Sequence, residues 1–247
     1  VALITGASAG LGEDFARQLS ATGARLVLVA RRKERLDALA AELGNARAVA
    51  IDLSEPDATA RLMADLASHD EHVDLLINNA GFGLVGKFAS LDGAKQRQMV
   101  DLNCGLLTEL GHAVLPGMLE RNRGGILNVA STAAFQPGPY SAVYYATKAY
   151  VLSFTEALHE ELAGTDVRVS ALCPGPTRTE FFEAAGYRGG SALEKFAMAS
   201  APVVAAGLAG LETNQTVVIP GVMNKVGAQG HRFLPRTLLR KVAKLVK

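Results

Sequence analysis

The stretch Val1-Ala2-Leu3-Ile4-Thr5-Gly6-Ala7-Ser8-Ala9-Gly10-Leu11-Gly12 decides the fold. Val1 to Thr5 is a short apolar run of strand type, and the pattern from Leu11 to Thr22 is helical. Between them the glycines permit a tight turn and a close backbone approach. The helix that follows offers unpaired N–H groups and the positive end of its dipole to an anion. Strand, glycine-rich turn and helix in this order imply a site for the pyrophosphate of a nucleotide. Taken alone, the same turn is compatible with a connection that merely needs flexible residues.

Outward from this unit the alternation continues. Strand-type runs fall at Arg25 to Ala30, Arg47 to Ile51, Val73 to Asn78, Gly125 to Ser131, Val167 to Cys173 and Thr216 to Pro220. Helical patterns fall at Lys33 to Leu43, Asp57 to His69, Gln96 to Glu120 and Ser141 to Ala163. Gly23 and Gly44 stand at helix C-termini, and Ser54 and Asp57 are candidate caps. Strands this apolar are expected to be buried on both faces, as in a parallel sheet covered by helices. The expected architecture is α/β: one doubly wound domain over residues 1–247 with a seven-stranded parallel sheet flanked by helices. From Pro174 to about Ala201 the regularity lapses, with Gly186, Gly189 and Gly190 amid Phe181, Phe182 and Tyr187. That segment is expected to be an apolar substrate lid.

Composition narrows the function classes. The formal net charge of +1 supplies no concentrated basic face for a nucleic-acid backbone. Cys104 and Cys173 make neither a disulfide framework nor a metal-ligand spacing, which points to a reducing cytoplasm. His69, His72, His112, His159 and His231 form no metal pattern, so no metal is expected, and His159 reads as a surface helix residue. No apolar run approaches the roughly 20 residues that span a bilayer. The N-terminus lacks the basic region of an export signal, and the absence of Met implies residues preceding Val1.

The end of the second strand bears on the nucleotide. A dinucleotide site choosing NAD places Asp or Glu there for the ribose 2′-hydroxyl, whereas this chain has Ala30-Arg31-Arg32-Lys33. Arg31 and Arg32 suit a 2′-phosphate, which an acid would repel, so NADP(H) is preferred. The bland reading is a solvated start to a charged helix.

Farther on, Ser131 ends a strand and Tyr144-Tyr145-Ala146-Thr147-Lys148 begins a helix. Tyr144 and Lys148 share a helical face, four residues apart. A phenol is a poor base, but a neighbouring ammonium favours the phenolate. Hydride transfer at a carbonyl or alcohol carbon needs such a tuned hydroxyl beside the reacting oxygen. Ser131 can donate to the same oxygen, and Asn103, inside a long helix, can disturb the backbone ladder and hold a water for proton relay. Each residue alone is commonplace; the constellation behind a nucleotide loop is not.

The glycine spacing resembles the T-G-x-x-x-G-x-G motif of the short-chain dehydrogenase/reductase family, and Asn103, Ser131, Tyr144 and Lys148 match its Asn-Ser-Tyr-Lys tetrad in order. The resemblance runs from Val1 to about Pro220. It implies a Rossmann-type fold and an NADP(H)-dependent oxidoreductase interconverting carbonyl and alcohol. Gly6, Ser8, Ala9, Gly10, Leu11 and Gly12 would then hold the pyrophosphate, Asp52 and Leu53 border the adenine, and Asn79, Ala80 and Gly81 line the cofactor cleft. Tyr144 and Lys148 would also touch the nicotinamide ribose. Pro174-Gly175-Pro176-Thr177-Arg178-Thr179 is similar to the P-G-x-x-x-T segment that closes over the nicotinamide, through the Thr177 backbone and the Thr179 hydroxyl. The resemblance also implies a homodimer or homotetramer formed through long helices. The alternative of another class is a nucleotide-sensing regulatory or scaffold protein on the same fold.

Phe181, Phe182, Tyr187, Phe196, Phe135 and Pro137 suggest a small, largely apolar carbonyl or alcohol substrate, with Arg178 or Arg188 as available anchors for charge. Residues from about 221 to 247 form a basic C-terminal extension: no acid follows Glu212, while Lys225, Arg232, Arg236, Arg240, Lys241, Lys244 and Lys247 do. Leu234, Leu238, Val242 and Leu245 make an apolar stripe there. Packing on the domain or on a second subunit is its ordinary use; weak peripheral contact with anionic lipid is the alternative.

Overall fold

Strands β1 (Ala2–Thr5), β2 (Leu26–Ala30), β3 (Ala46–Ala50), β4 (Leu75–Asn78), β5 (Gly124–Val129), β6 (Val167–Leu172) and β7 (Val217–Val218) pair in the order β3-β2-β1-β4-β5-β6-β7. Every pairing is parallel. Parallel neighbours need crossovers, which helices supply. Among the described residues the helices are α1 (Gly10–Ala21), α2 (Lys33–Leu43), α3 (Ala58–Ser68), α4 (Gly93–Val100), α5 (Leu107–Glu120), α6 (Ala142–Glu161), α7 (Phe181–Ala184) and α8 (Ser200–Glu212), with α9 (Val222–Gly230) following the last strand. The computed structural model describes residues 1–186 and 196–230, together with 237, 241 and 243.

Alternation along each strand fills two cores. On one face Leu3, Val27, Leu76 and Ile126 pack with Leu62, Leu110 and Met118. On the other, Ile4, Leu28, Ile77 and Leu127 pack with Phe15, Leu36 and Val204. Each side chain of this kind stabilises the fold by about 1.5–3 kcal/mol on burial, so both faces must be apolar and both must be covered. The doubly wound sheet expected from the sequence is the one found. Edge strand β3 is less buried than the central strands: Arg47 lies on it and pairs with Asp65 at 2.7 Å and with Glu71.

Several local expectations change. Ser131 lies beyond the end of β5, where its side chain accepts from Ala133 N at the start of a 3₁₀ turn, Thr132–Phe135. Gln96 to Glu120 is not one uniform helix, because Asp101–Leu106 is a π-helical turn between α4 and α5. Asp57 precedes α3, but its side chain caps nothing and faces Arg61. Ser54 bonds to Asp52 instead of capping a helix. His159 is not a plain surface residue, since its ring meets the Val169 carbonyl at 2.7 Å. Helix α8 is not among the helical patterns of the sequence.

Tyr187, Arg188, Gly189 and Gly190 of the expected lid lie outside the described residues, as do Leu234, Leu238, Val242 and Leu245 of the tail stripe. Among the described residues, no helix is long and apolar enough to cross a membrane.

Candidate active site

Strand order reverses at β1 and β4, and ligands of such sheets bind where the loops beyond the carboxyl ends part. The loops after β1, β4, β5 and β6 enclose a cleft of about 770 Å³ there. Thr5 and Asn79 hold its two central loops together. Thr5 Oγ1 accepts from Asn79 N and Ala80 N, both at 3.0 Å, and Asn79 Nδ2 donates to Thr5 O at 2.9 Å.

The glycine-rich turn forms the cradle. Gly12 packs so closely on the turn that a Cβ would lie 2.2 Å from Gly6 O. Gly10 takes φ 58°, a conformation that disfavours side chains, and Thr179 closes over it, 3.0 Å from where a Cβ would stand. Gly12→Ala is therefore expected to cost about 1–3 kcal/mol in urea unfolding, since backbone rather than a flexible side chain must give way. Unchanged stability would remove this account of the turn.

Gly6, Ser8, Ala9, Gly10, Leu11, Asp52, Leu53, Asn79, Ala80, Gly81, Pro174, Gly175, Thr177 and Thr179 all line the cleft; Gly12 lies behind it. Arg31 and Arg32 line it too. Arg31 is 72% exposed and 4.0 Å from Asp52, so its guanidinium is open to an anion. Arg32 is turned along the loop, with Nε on Ser8 Oγ and a second nitrogen on Ser8 O, each at 3.1 Å.

Ser131, Tyr144 and Lys148 share the other part of the cleft. Lys148 is buried; its Nζ donates to Val129 O at 2.7 Å and stands 5.9 Å from the centre of the Tyr144 ring. Burial pushes the ammonium down from 10.5 to about 8. Burial also pushes the Cys104 and Cys173 thiols up, to about 11 and about 12, so neither supplies a counter-charge at neutral pH. Ser131 Oγ reaches Pro174 O at 3.4 Å, joining the loops after β5 and β6.

Asn103 lies behind this wall rather than in it. Its Nδ2 donates to Phe82 O and Thr147 Oγ1 at 3.0 Å, and its Oδ1 accepts from Phe82 N at 3.1 Å. The π-helical turn swings this side chain out of the helical ladder toward the β4 loop. Its amide thereby clamps the backbone beside Gly81, whose Cβ, if present, would stand 2.8 Å from Asn103 Oδ1 and 3.8 Å from Lys148 Nζ.

The apolar wall differs from the expected set. Phe181 and Phe182 line the cleft, and the Phe181 ring packs 5.4 Å from that of Tyr144. Phe135 instead packs with the cluster of Leu152 and Ile219, while Phe196 is 80% exposed. Arg178 donates to Ala197 O at 3.0 Å and so braces the segment after β6. Phe82, Leu84, Lys95, Gln136, Tyr145 and Ala243 are among the lining residues that the sequence does not single out. Ala243 brings one described residue of the tail to the cleft, where a chain-end position could not be anticipated from periodicity.

Residues 1–187 match the family described as short chain dehydrogenase. The chain is 39% identical over 191 residues to the NADP-dependent 3-hydroxy acid dehydrogenase YdfG of Salmonella typhi, covering 76% of this chain and 77% of that one. It is 39% identical over 181 residues to the serine 3-dehydrogenase of Agrobacterium fabrum, covering 72% of each. The short-chain dehydrogenase from Sphingobium yanoikuyae in complex with NADPH superposes with a TM-score of 0.84 at 33% identity, covering 97% of this chain and 94% of that one. Sequence, fold and cleft thus agree that this chain belongs to the short-chain dehydrogenase family, oxidoreductases acting on alcohol and carbonyl groups.

Proposed function

We propose that the protein interconverts a carbonyl and an alcohol on a small, largely apolar substrate, using NADP(H) and Tyr144 as acid/base. The observation that carries this reading is the buried Lys148 ammonium beside the Tyr144 ring in one cleft with the glycine cradle. The nicotinamide, when bound, supplies or accepts the hydride. Tyr144 gives a proton to the substrate oxygen in reduction and takes it back in oxidation. The Lys148 charge lowers the cost of the phenolate left behind. Ser131 donates to the same oxygen and orients the substrate; Asn103, through its clamp on Phe82, is a positioning residue and borders a proton relay through water.

The cradle fits the cofactor. The close Gly6–Gly12 approach leaves backbone rather than side chains around the helix N-terminus, and Gly6, Ser8, Ala9, Gly10 and Leu11 would hold the pyrophosphate there. Arg31 and Arg32 would take the 2′-phosphate, Asp52 and Leu53 the adenosine, and Asn79, Ala80 and Gly81 the floor. Pro174, Gly175, Thr177 and Thr179 would cover the nicotinamide end. The NADP dependence named for YdfG and the NADPH bound in the Sphingobium enzyme support this choice.

The cationic side chains lining the cleft among the described residues are Arg31, Arg32, Lys95 and Lys148, while Leu84, Ala133, Phe181 and Phe182 form an apolar wall. That wall favours neutral ketones, aldehydes and secondary alcohols. NADPH oxidation over a panel of neutral carbonyls and 3-oxo acids tests the reading; turnover of the acids alone would reject the apolar substrate class. Cofactor binding without turnover of any carbonyl would favour the nucleotide-sensing or scaffold alternative.

Arg31→Asp is expected to weaken NADPH binding at least ~10-fold while leaving NADH within ~2-fold, since a charge-assisted bond of about 1.5–3 kcal/mol is lost and a repulsion added. Fluorescence titration checks it. Equal affinity of the unmodified protein for both cofactors would reject the NADP(H) preference. A homo-oligomer through the long helices belongs to the same proposal.

A further inference from the structure

We propose that Glu180 sets cofactor specificity by occupying, in the cofactor-free protein, the edge of Arg32 that a 2′-phosphate needs. This rests on the NADP(H) reading above. Each of the three guanidinium nitrogens of Arg32 has an acceptor. Two are on Ser8, and the third donates to Glu180 Oε2 at 2.8 Å. The other carboxylate oxygen of Glu180 accepts from Arg35 at 2.6 Å. Glu180 is thus bidentate between two arginines, as a phosphate would be.

The bridge is poorly placed to serve the fold. Glu180, Arg32 and Arg35 are about half exposed, and an ion pair in that setting adds little to stability. It is well placed to influence binding. A dianionic 2′-phosphate arriving at Arg31 and Arg32 meets a carboxylate already there, which competes for the guanidinium and repels the newcomer. The hydrogen bonds from Arg32 and Arg35 hold the Glu180 carboxyl below the usual carboxylate range, so it is charged throughout the working pH range.

Its position in the chain gives the competition a second effect. Glu180 follows Thr179, which closes over Gly10, and precedes Phe181, which packs against Tyr144. An exchange of partners at Arg32 therefore acts on a segment that touches both the phosphate cradle and the acid/base. Coupling of this kind is reciprocal between the two ends. The sequence offers no sign of it, since Arg32 and Glu180 are 148 residues apart.

Calorimetric titration of the full chain with 2′,5′-ADP and with 5′-AMP isolates the 2′-phosphate without turnover. Glu180→Gln, which keeps the shape and loses the charge, is expected to tighten 2′,5′-ADP about 3- to 10-fold and leave 5′-AMP within ~2-fold. The gain should shrink at ~0.5 M salt, where the Debye length falls to a few ångströms. Glu180→Asp, which keeps the charge, should stay within ~2-fold of the unmodified protein for both ligands. Unchanged or weaker binding of 2′,5′-ADP by Glu180→Gln overturns the proposal while leaving the cofactor reading intact. If the unmodified protein binds 2′,5′-ADP no better than 5′-AMP, the cofactor reading falls and this proposal with it.

Discussion

Tyr144→Phe is expected to lower kcat roughly 10³- to 10⁴-fold with little change in NADPH affinity. The substitution deletes one oxygen and keeps a ring of the same size. The ring packs on Phe181 at 5.4 Å and on Tyr145 at 6.1 Å, and it approaches Gly83, so these contacts persist. What disappears is the proton for the developing alkoxide, and loss of a general acid together with its hydrogen bond accounts for an effect of that order. A fall in kcat and kcat/KM together, with KM unmoved, marks an interaction made in the transition state. Steady-state kinetics with any ketone found by the carbonyl panel, beside an NADPH titration, measures both quantities. A variant retaining a tenth of the activity would remove Tyr144 from the chemistry.

The parts of this site legible in the sequence are those whose signals are local. A glycine turn between a strand and a helix has few structural meanings, and Tyr144 and Lys148 fall on one face by helical spacing alone. The strands were legible because burial on both sides leaves runs such as Leu26 to Ala30 without polar interruption. Helix α8 was not. It buries one face, Val203, Val204, Gly207, Gly210 and Leu211, but its exposed face carries Ala201, Pro202, Ala205 and Ala209 rather than polar residues, so no amphipathic stripe marks it. Gly207 and Gly210, which let it approach Leu172 and Val218, lower its helical signal. The π-helical turn at Asp101–Leu106 was hidden for another reason. It arises where Asn103 finds partners on Phe82 and Thr147, contacts that exist only after the sheet has assembled. Phe135 shows the reverse: an aromatic shortly before α6 suggests pocket lining, but the 3₁₀ turn after Ser131 directs it against the cluster of Leu152 and Ile219. Thr5 shows in the sequence only as part of a motif, whereas its buried hydroxyl joins two loops.

Lys148→Met should make the cofactor-free protein more stable at pH 7 while lowering activity at least ~10²-fold. The side chain is only 7% exposed, and its ammonium is held at about 8 instead of 10.5, which corresponds to a cost on the order of 3 kcal/mol for keeping the charge in the fold at neutral pH. Methionine fills a similar volume without charge. Part of the gain is lost because Val129 O forfeits its donor, at about 1 kcal/mol. The remainder should raise Tm by a few degrees. The direction of the pH effect follows from the depressed value. Below pH 8 the folded and unfolded chains both carry the proton, and the penalty is fully present. Between pH 8 and 10.5 the unfolded chain holds a proton that the folded one has released, so stability rises with pH. Above 10.5 both are neutral and the penalty is gone. Urea unfolding of both proteins at pH 7 and pH 10 should therefore show the variant ahead at pH 7 and its lead reduced at pH 10. A variant less stable at pH 7, or a lead unchanged between the two pH values, would mean that the ammonium is not destabilised in the fold. A costly buried cation retained beside Tyr144 is what a group kept for chemistry rather than for folding should look like.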